Sequence, residues 1–296
     1  MSAPDQAAPA VVPEAALLGR TCAVAGRLQR DMRGWAEEYP SLFDAKPFDP
    51  ALYSTLALAS AFSGPWLSAA ELRIANRACL WCFGLDWLVD YAAGSPREVR
   101  ELVRRCRAVV DGEAPAPGDD LTRFLADIRD ELAAAPAFAA LGAAWREEFA
   151  RMATAMTREA EWKAAGVVPS YAEYLGNADN LGFSFVFVSH WIATSGTAEV
   201  TGTGDVRRAA QAVQRVIRLL NDLGTYERDL AWGDLNALLL GVTREEVTAQ
   251  VAELAARARD LLAPLRPANR EAADYMERQM DFCAGFYQVS DYWGSM

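Results

Sequence analysis

The chain has 296 residues, with 40 acidic and 29 basic side chains and a formal net charge of −11. So acidic a chain lacks the basic surface that sequence-independent nucleic-acid binding requires. No stretch of about 18 apolar residues is free of charge, so the sequence predicts no membrane span. About half of the residues are hydrophobic, and alanine and leucine abound, which favours a helical globular protein.

The N-terminal segment and the cysteines indicate the compartment. Residues 1–12 are rich in Ala and Pro and have no basic segment before an apolar run, so we expect a disordered tail and no export signal. The five cysteines are odd in number and scattered, as expected of a reducing cytoplasm. Cys79 and Cys82 form a C-x-x-C with no second pair and no nearby histidine, so we interpret them as buried helical thiols.

Helical periodicity dominates the chain, and no segment alternates like a strand. The predicted helices, in chain order, cover about 15–38, 51–60, 68–91, 96–110, 120–134, 136–165, 171–194, 205–231, 243–262 and 268–292. Ser68 with Glu71, and Ser170 with Glu173, are capping-box patterns that begin two of them. No repeat or linker divides the set, so residues 13–296 are predicted to form one all-α domain of about ten or more helices.

Two carboxylates stand near the end of the apolar helix that begins at Ser68. Asp86 and Asp90 are four residues apart, so they lie on one helix face about one turn from each other. Their repulsion, which desolvation strengthens, requires a compensating cation. Magnesium fits this pair, because it takes a few carboxylate oxygens, keeps water and shares a substrate phosphate. The alternative is a solvated helix end.

A second polar stripe lies about 130 residues further along the chain. Asn221, Thr225 and Asp229 recur every four residues, so an amide oxygen, a hydroxyl and a carboxylate share one helix face. Such a set suits a hard cation with open positions for a ligand. Arg228, beside the stripe, can direct a permanent charge at an anion bound to that metal. The alternative is a polar helix end that leads into the loop at 232–234.

These two motifs resemble those of the class I terpene synthases. The family's first motif is D-D-x-x-D; Asp86 and Asp90 match its first and last aspartates, with Trp87 in place of the second. Its second motif is N-D-x-x-S/T-x-x-x-E with a basic residue before the last position, which the segment Asn221–Asp229 matches except for Asp at its end. The motif order and spacing, the chain length and segment 169–175, which looks like the entry to the family's kinked central helix, also agree.

The chain departs from the family at two places. Asn177 stands where many bacterial members carry an arginine that senses diphosphate, and Ser290-Asp291-Tyr292 replaces a C-terminal Arg-Tyr pair. The resemblance therefore implies diphosphate contacts from Arg228, Tyr292 and Asn177, with Arg228 and the metals carrying more of the anion binding. Similar departures occur in members that act on bicyclic labdane-type diphosphates, so we expect a diterpene synthase.

The resemblance also implies a mechanism. A helical bundle around a central apolar cavity would bind a prenyl diphosphate with three Mg²⁺ ions, ionise it and cyclise the carbocation away from water. The residues expected to line this cavity are Phe62, Trp66, Phe83, Trp87, Asn180, Gly182, Phe183, Phe187, Phe286 and Tyr287. Gly182 is also expected to mark a helix kink, and His190, the only histidine, is expected to pack in the core.

Other functions fit parts of the sequence. A sesquiterpene synthase would use farnesyl diphosphate at the same site. A squalene- or phytoene-type head-to-head prenyl synthase would favour a second D-x-x-x-D, but Tyr226 stands four residues after Asp222. A chain-elongating prenyltransferase would need two full D-D-x-x-D motifs, and a non-catalytic helical scaffold would need neither. Dimers are common among proteins of this kind, so a homodimer is compatible with the sequence.

Overall fold

The predicted all-α fold is confirmed. The structure is a computed structural model that describes residues 13–196 and 200–294, among which no strand occurs; the predicted disordered tail lies outside the described residues. The α-helices are α1 (Pro13–Glu38), α2 (Pro40–Phe43), α3 (Pro50–Ser63), α4 (Arg73–Trp87), α5 (Pro96–Val110), α6 (Asp120–Ala133), α7 (Phe138–Ala165), α8 (Tyr171–Gly176), α9 (Phe183–Thr194), α10 (Thr203–Trp232), α11 (Arg244–Leu262) and α12 (Arg266–Phe286). A π-helix, Leu88–Ala92, continues α4, and 3₁₀ turns occupy Ala178–Leu181, Ala237–Leu239 and Ala263–Leu265.

Helix α4 begins later than the sequence predicts. The Ser68 and Glu71 side chains make the hydrogen bonds of a capping box, but the chain forms turns until Arg73. Leu67 and Leu72 are both buried in the core. Because both leucines pack into the core, the segment between them follows the core surface. The capping box therefore stabilises the turn at residues 68–71 and not the first turn of α4.

The predicted helix over 171–194 is broken into α8, a 3₁₀ turn and α9. Ser170 and Glu173 form the predicted capping box at its start. Gly182 adopts φ +74°, and a Cβ built there would lie 2.9 Å from the sulfur of Met152, so the break requires glycine. Gly182 therefore does mark the predicted interruption, and it redirects the chain so that Asn180 lies on the cavity wall.

The predicted C-terminal helix over 268–292 ends earlier, at Phe286. Beyond it the chain leaves the helix, and Tyr292 and Trp293 return to the cavity wall. The ring centroid of Phe83 lies 5.6 Å from that of Tyr292 and 5.1 Å from that of Trp293. These aromatic contacts bury apolar surface and so favour the path on which the chain leaves α12.

Most helices contribute to one large hydrophobic core, and a smaller cluster surrounds Tyr174 and Leu219. Helix α9 has a mainly apolar sequence and is buried over most of its length. Side chains of α3, α4, α7, α9, α10 and α12 surround a cavity at the centre of the bundle. None of the helices that the structure describes is long and apolar enough to cross a membrane.

Candidate active site

The central cavity has a volume of about 410 Å³. Its apolar wall comes from many helices and includes Leu56, Phe83, Val89, Val99, Met156, Leu181, Phe183, Val186, Ile217, Leu235, Tyr292 and Trp293. Its acidic and basic residues come from the end of α4, the π-helix, α7 and α10 with the loop after it: Asp86, Asp90, Glu159, Lys163, Arg218, Arg228, Asp229 and Asp234. An apolar pocket with a few convergent charged groups is the usual form of a small-molecule site.

The first predicted carboxylate pair lies on this cavity wall. Asp86 is half-buried in the last turn of α4, and Asp90 is accessible on the π-helix. Desolvation, then the negative charges of Glu159 and Asp234, raises the pKa of Asp86 to about 7. Desolvation and the charge of Asp86 raise the pKa of Asp90 as well, although solvent moderates the effect there. A cation bound nearby would therefore stabilise the ionised form of both carboxylates.

The π-helix adds one residue to the turn that carries Asp90. The N–H of Ala93 donates to the carbonyl oxygen of Leu88 at 2.8 Å, a bond that spans five residues instead of four. Insertions of this kind interrupt the regular ladder and are frequent at functional sites. Periodicity in the sequence predicts a continuous α-helix through Tyr91 and cannot reveal the insertion.

The second motif forms a connected polar stripe on α10. The Thr225 hydroxyl donates to a carboxylate oxygen of Asp229 at 2.6 Å and lies 2.9 Å from the carbonyl oxygen of Asn221. The Asn221 amide donates to the Tyr287 hydroxyl at 3.2 Å. Thr225 is 1% exposed and Asp229 is 5% exposed. The three residues therefore share one helix face, as their four-residue spacing predicts.

A buried asparagine that the sequence did not single out supports this stripe. The side-chain amide of Asn236 donates to Asp229 Oδ2 and to the carbonyl oxygen of Asp222, each at 2.9 Å. Asn236 is fully buried. It lies seven residues beyond Asp229, in the loop after α10, so no helical periodicity connects it to the motif.

The two motifs line the same cavity: Asp86 and Asp90 lie on its wall together with Asn221 and Asp229, whereas Thr225 is buried and is not part of the wall. Desolvation raises the pKa of Asp86, and the positive charges of Arg228 and Arg218, both on α10, act in the opposite direction. Arg228 itself forms ion pairs with Asp229 and Asp291, each at 3.1 Å. The arrangement predicted from the sequence, two oxygen clusters at one cavity, is the arrangement that the structure contains.

The donor set of the cavity suits added cations. Five carboxylates line it, against three basic side chains, so the wall carries two more negative than positive groups when all of them are ionised. Within residues 13–196 and 200–294 no three His, Cys, Asp or Glu side chains converge closely enough to enclose a metal. Ions held here would therefore need further oxygen ligands from a bound molecule, which is how Mg²⁺ commonly binds beside phosphates.

Several charged residues of the wall were missed by the sequence analysis. Glu159 and Lys163 stand four residues apart on α7, a pattern that also describes an ordinary salt bridge on a helix surface. Arg218 stands three residues before Asn221, which puts it on the same face one turn earlier. That spacing is the one signal that could have included Arg218 in the site. Asp234 comes from the loop after α10, where sequence patterns carry no such information.

Some predicted contacts do not lie on the cavity wall. The Asn177 amide donates to the carbonyl oxygen of Ala155 at 2.9 Å, and its oxygen accepts from Arg158 at 3.5 Å, so it faces away from the cavity. The diphosphate contact expected of Asn177 is therefore not formed by this arrangement. Of the residues expected on the wall, those that the structure places elsewhere are Phe62, Trp66, Trp87, Gly182, Phe187 and Phe286. Those that do line it are Phe83, Asn180, Phe183 and Tyr287, and Tyr292 joins them.

The structure also shows where the helical cysteines and the single histidine lie relative to the cavity. All five cysteines are free, Cys79 and Cys82 line the cavity, and burial raises the pKa of Cys79 to about 12. His190 is 4% exposed, lies outside the cavity wall and stacks on Tyr275 with ring centroids 4.3 Å apart. Its position in the core leaves it without a direct route to a bound molecule.

The class I terpenoid synthases are all-α bundles in which two polar helical motifs lie at one apolar cavity, as they do here. The model of terpene synthase family 2, C-terminal metal binding, matches residues 77–261, which include both motifs. The chain therefore belongs to the terpene synthases, a metal-binding family. It is 30% identical over 284 residues to ent-pimara-9(11),15-diene synthase of Streptomyces sp. strain KO-3988, covering 92% of this chain and 93% of the relative.

Solved structures show the same fold at low sequence identity. Linalool/nerolidol synthase from Streptomyces clavuligerus superposes with a TM-score of 0.70 at 17% identity, over 90% of this chain and 94% of the other. The 2-methylisoborneol synthase of Streptomyces coelicolor A3(2), in complex with Mg²⁺ and geranyl-S-thiolodiphosphate, also gives 0.70 at 17%, over 93% of each chain.

Proposed function

We propose that the chain is a Mg²⁺-dependent class I terpene synthase that ionises a C20 prenyl diphosphate and cyclises or rearranges the carbocation to a hydrocarbon or an alcohol. The observation that carries the proposal is the meeting of Asp86 and Asp90 with the Asn221 stripe across a single, mainly apolar cavity. The relative at 30% identity, a diterpene synthase, supports the C20 substrate. The absence of the family's C-terminal Arg-Tyr pair supports a bicyclic labdane-type diphosphate among such substrates.

Each polar residue has a role in this proposal. Asp86 and Asp90 would hold metal from one wall, and Asn221, Thr225 and Asp229 from the other. Thr225 Oγ1 and Asp229 Oδ2 lie 2.6 Å apart, close enough to be ligands of one ion. When bound, Mg²⁺, three ions by family resemblance, supplies charge neutralisation for the leaving diphosphate. Arg228 and Tyr292 would orient the diphosphate, which leaves with the electron pair of the broken C–O bond.

The apolar wall protects the cation that remains. Water would capture it, so a dry cavity is needed until rearrangement ends. Phe83, Phe183, Tyr287, Tyr292 and Trp293 line the cavity, and an aromatic face turned to a nearby positive charge stabilises it by about 0.5–2 kcal/mol. Loss of a proton to the released diphosphate, or capture of water, would end the reaction.

Product analysis tests the proposal. Purified protein is incubated with Mg²⁺ and, separately, geranyl, farnesyl, geranylgeranyl and a bicyclic labdane-type diphosphate, and extracts are examined by gas chromatography with mass detection. We expect a cyclic or rearranged diterpene, absent when the metal is chelated. Products from farnesyl diphosphate alone would reassign the substrate, a linear head-to-head product would reassign the reaction, and no product from any diphosphate would contradict the proposal.

A further inference from the structure

Lys163 is a cation of the cavity wall for which the two sequence motifs provide no role. It lies in the last turn of α7, with Ala160 and Ala164 beside it on the wall. The chain contains only one other lysine, Lys46, which is exposed and does not line the cavity. Lys163 is therefore the only primary amine that a molecule bound in this cavity meets among the described side chains.

The ammonium group of Lys163 belongs to a small cluster that joins three segments. Lys163 Nζ lies 2.6 Å from Asp234 Oδ1, and the Tyr91 hydroxyl donates to Asp234 Oδ2 at 3.1 Å. Tyr91 follows Asp90 directly, and Asp234 lies in the loop five residues after Asp229. The cluster therefore connects the first motif, through Tyr91, to the loop that follows the second motif, through Asp234. The ammonium group of Lys163 lies at this connection.

The three cations of the wall differ in how tightly they are held. Arg218 donates to the Tyr174 hydroxyl at 2.8 Å, pairs with Glu159 at 3.1 Å and is 8% exposed. Arg228 pairs with two carboxylates and stacks over the ring of Trp232 at 5.3 Å. Lys163 has one carboxylate partner among the described residues, its side chain is 43% exposed, and its stem is flexible. Of the three cations, Lys163 therefore loses the fewest interactions when it exchanges its partner.

We propose that Lys163 is a further diphosphate-binding residue, which exchanges Asp234 for the phosphate oxygens of the substrate when the cavity is filled. The inference rests on the proposed function, since it requires a diphosphate in this cavity. After the exchange Asp234 Oδ2 keeps the hydrogen bond from Tyr91, and Oδ1 can be hydrated because the Asp234 side chain is 19% exposed. It also supplies a positive charge in a chain whose Asn177 faces away from the cavity.

Binding of inorganic diphosphate isolates this role from turnover. Affinity is measured by calorimetry in Mg²⁺ for the wild type, K163Q, K163R and the matched control K46Q, which loses the same charge at an exposed position. We expect K163Q to weaken diphosphate binding about 10-fold, as loss of one charge-assisted hydrogen bond does. K163R should recover most of the affinity, and K46Q should bind as the wild type does.

Amine acylation gives a second readout within one molecule. The protein is treated with acetic anhydride with and without Mg²⁺ and inorganic diphosphate, and both lysines are followed by peptide mass spectrometry. We expect diphosphate to reduce acetylation of Lys163 several-fold and to leave Lys46 unchanged. The D234N variant should raise acetylation of Lys163 in the absence of diphosphate, because the ion pair that competes with the reagent is lost.

The outcomes separate this inference from the proposed function. If the wild type binds diphosphate with Mg²⁺ but K163Q binds it equally well, and Lys163 is not protected, Lys163 only ties α7 to the loop after α10 and the inference is wrong. If the wild type does not bind diphosphate in Mg²⁺ at all, the proposed function is wrong together with the inference.

Discussion

Arg228 on α10 lies 3.1 Å from Asp291, which is in the segment that follows α12. Both side chains are largely buried, at 17% and 15% exposure. The pair therefore fastens the C-terminal segment, with Tyr292 and Trp293, against the helix that carries the second motif. Because Tyr292 and Trp293 line the cavity wall, we expect the segment that includes Ser290-Asp291-Tyr292 to cover the cavity.

We expect D291N to loosen this covering and admit water to the carbocation. Turnover should fall roughly 10-fold, and the share of alcohol among the products should rise, because breaking one partner of a partly buried ion pair costs about 1–3 kcal/mol. D281N is the matched control, since Asp281 pairs with Arg259 at 2.6 Å on an exposed surface. An unchanged product ratio in D291N would show that the segment does not exclude water.

Removing a proposed metal ligand from either wall should abolish turnover and preserve the fold. We expect N221A and D90A each to reduce product formation by more than about 100-fold, since even indirect metal contacts are worth about 10- to 100-fold. Helical content by circular dichroism should match the wild type. D111N, at an exposed position after α5, is the control. Full turnover in both variants would refute the assignment of the two motifs.

Asn236 should control metal affinity although it is not a proposed ligand. N236A removes three hydrogen bonds: those donated to Asp229 Oδ2 and to the carbonyl oxygen of Asp222, and the one accepted from the N–H of Leu238. It should reduce stability by about 1–3 kcal/mol. The Mg²⁺ concentration needed for half-maximal diphosphate binding should rise about 10- to 100-fold. N269A is the control, because Asn269 is also buried but donates to the carbonyl oxygen of Thr201 instead. It should lower stability and leave the Mg²⁺ requirement unchanged.

The helices were predictable where periodicity and capping operate alone. The bounds of α5, α6 and α11 differ from the sequence prediction by one residue or none, because Pro96, the acidic first turn of α6 and Thr243 mark their starts locally. Gly182 interrupts its helix as expected, but the π-helix and the early end of α12 depend on contacts far along the chain. Such contacts leave no mark on the local pattern.

The site residues likewise divide into those that local spacing reveals and those that it does not. Asp86 and Asp90 share a helix turn, and the Asn221 stripe repeats every four residues, so spacing alone reveals them. The metal count, the C20 substrate, the homodimer and the cytoplasmic location stay predictions. Which aromatic side chains line the cavity could not be read from the sequence, because the wall and the core use the same residue types. Phe83 and Phe187 are both core-like by sequence, yet only Phe83 reaches the cavity.

His190 should make stability depend on pH below neutrality. Desolvation lowers the pKa of its buried imidazole from the ordinary 6.5 to about 4. The unfolded chain therefore takes up a proton at about pH 6.5 that the folded chain takes up only near pH 4, so stability falls as the pH is lowered through this interval and the loss levels off below it. The full loss is about 3 kcal/mol.

Denaturant unfolding of the wild type and H190L at pH 6.5 and pH 4 measures the loss of stability that His190 causes. Carboxylates titrate in the same range in both proteins, so the difference between the two pH dependences isolates the histidine. The wild type should lose about 3 kcal/mol more than H190L. Equal losses would mean that His190 is protonated in the folded protein at pH 6, and that its contact with Tyr275 does not keep it neutral.

Gly224 should be required for the approach of α10 to the end of α12. A Cβ at Gly224 would lie 2.8 Å from the backbone oxygen of Tyr287, which cannot move without displacing the helix end. We expect G224A to destabilise the protein by about 1–3 kcal/mol and to weaken turnover, because the Tyr287 hydroxyl is the acceptor for Asn221. G285A is the matched control: it lies in α12 with no atom within 4 Å of an added Cβ, so it should gain about 0.5–1 kcal/mol. Thermal unfolding and turnover of both variants are compared with the wild type, and equal stability of G224A and G285A would contradict the close packing at this crossing.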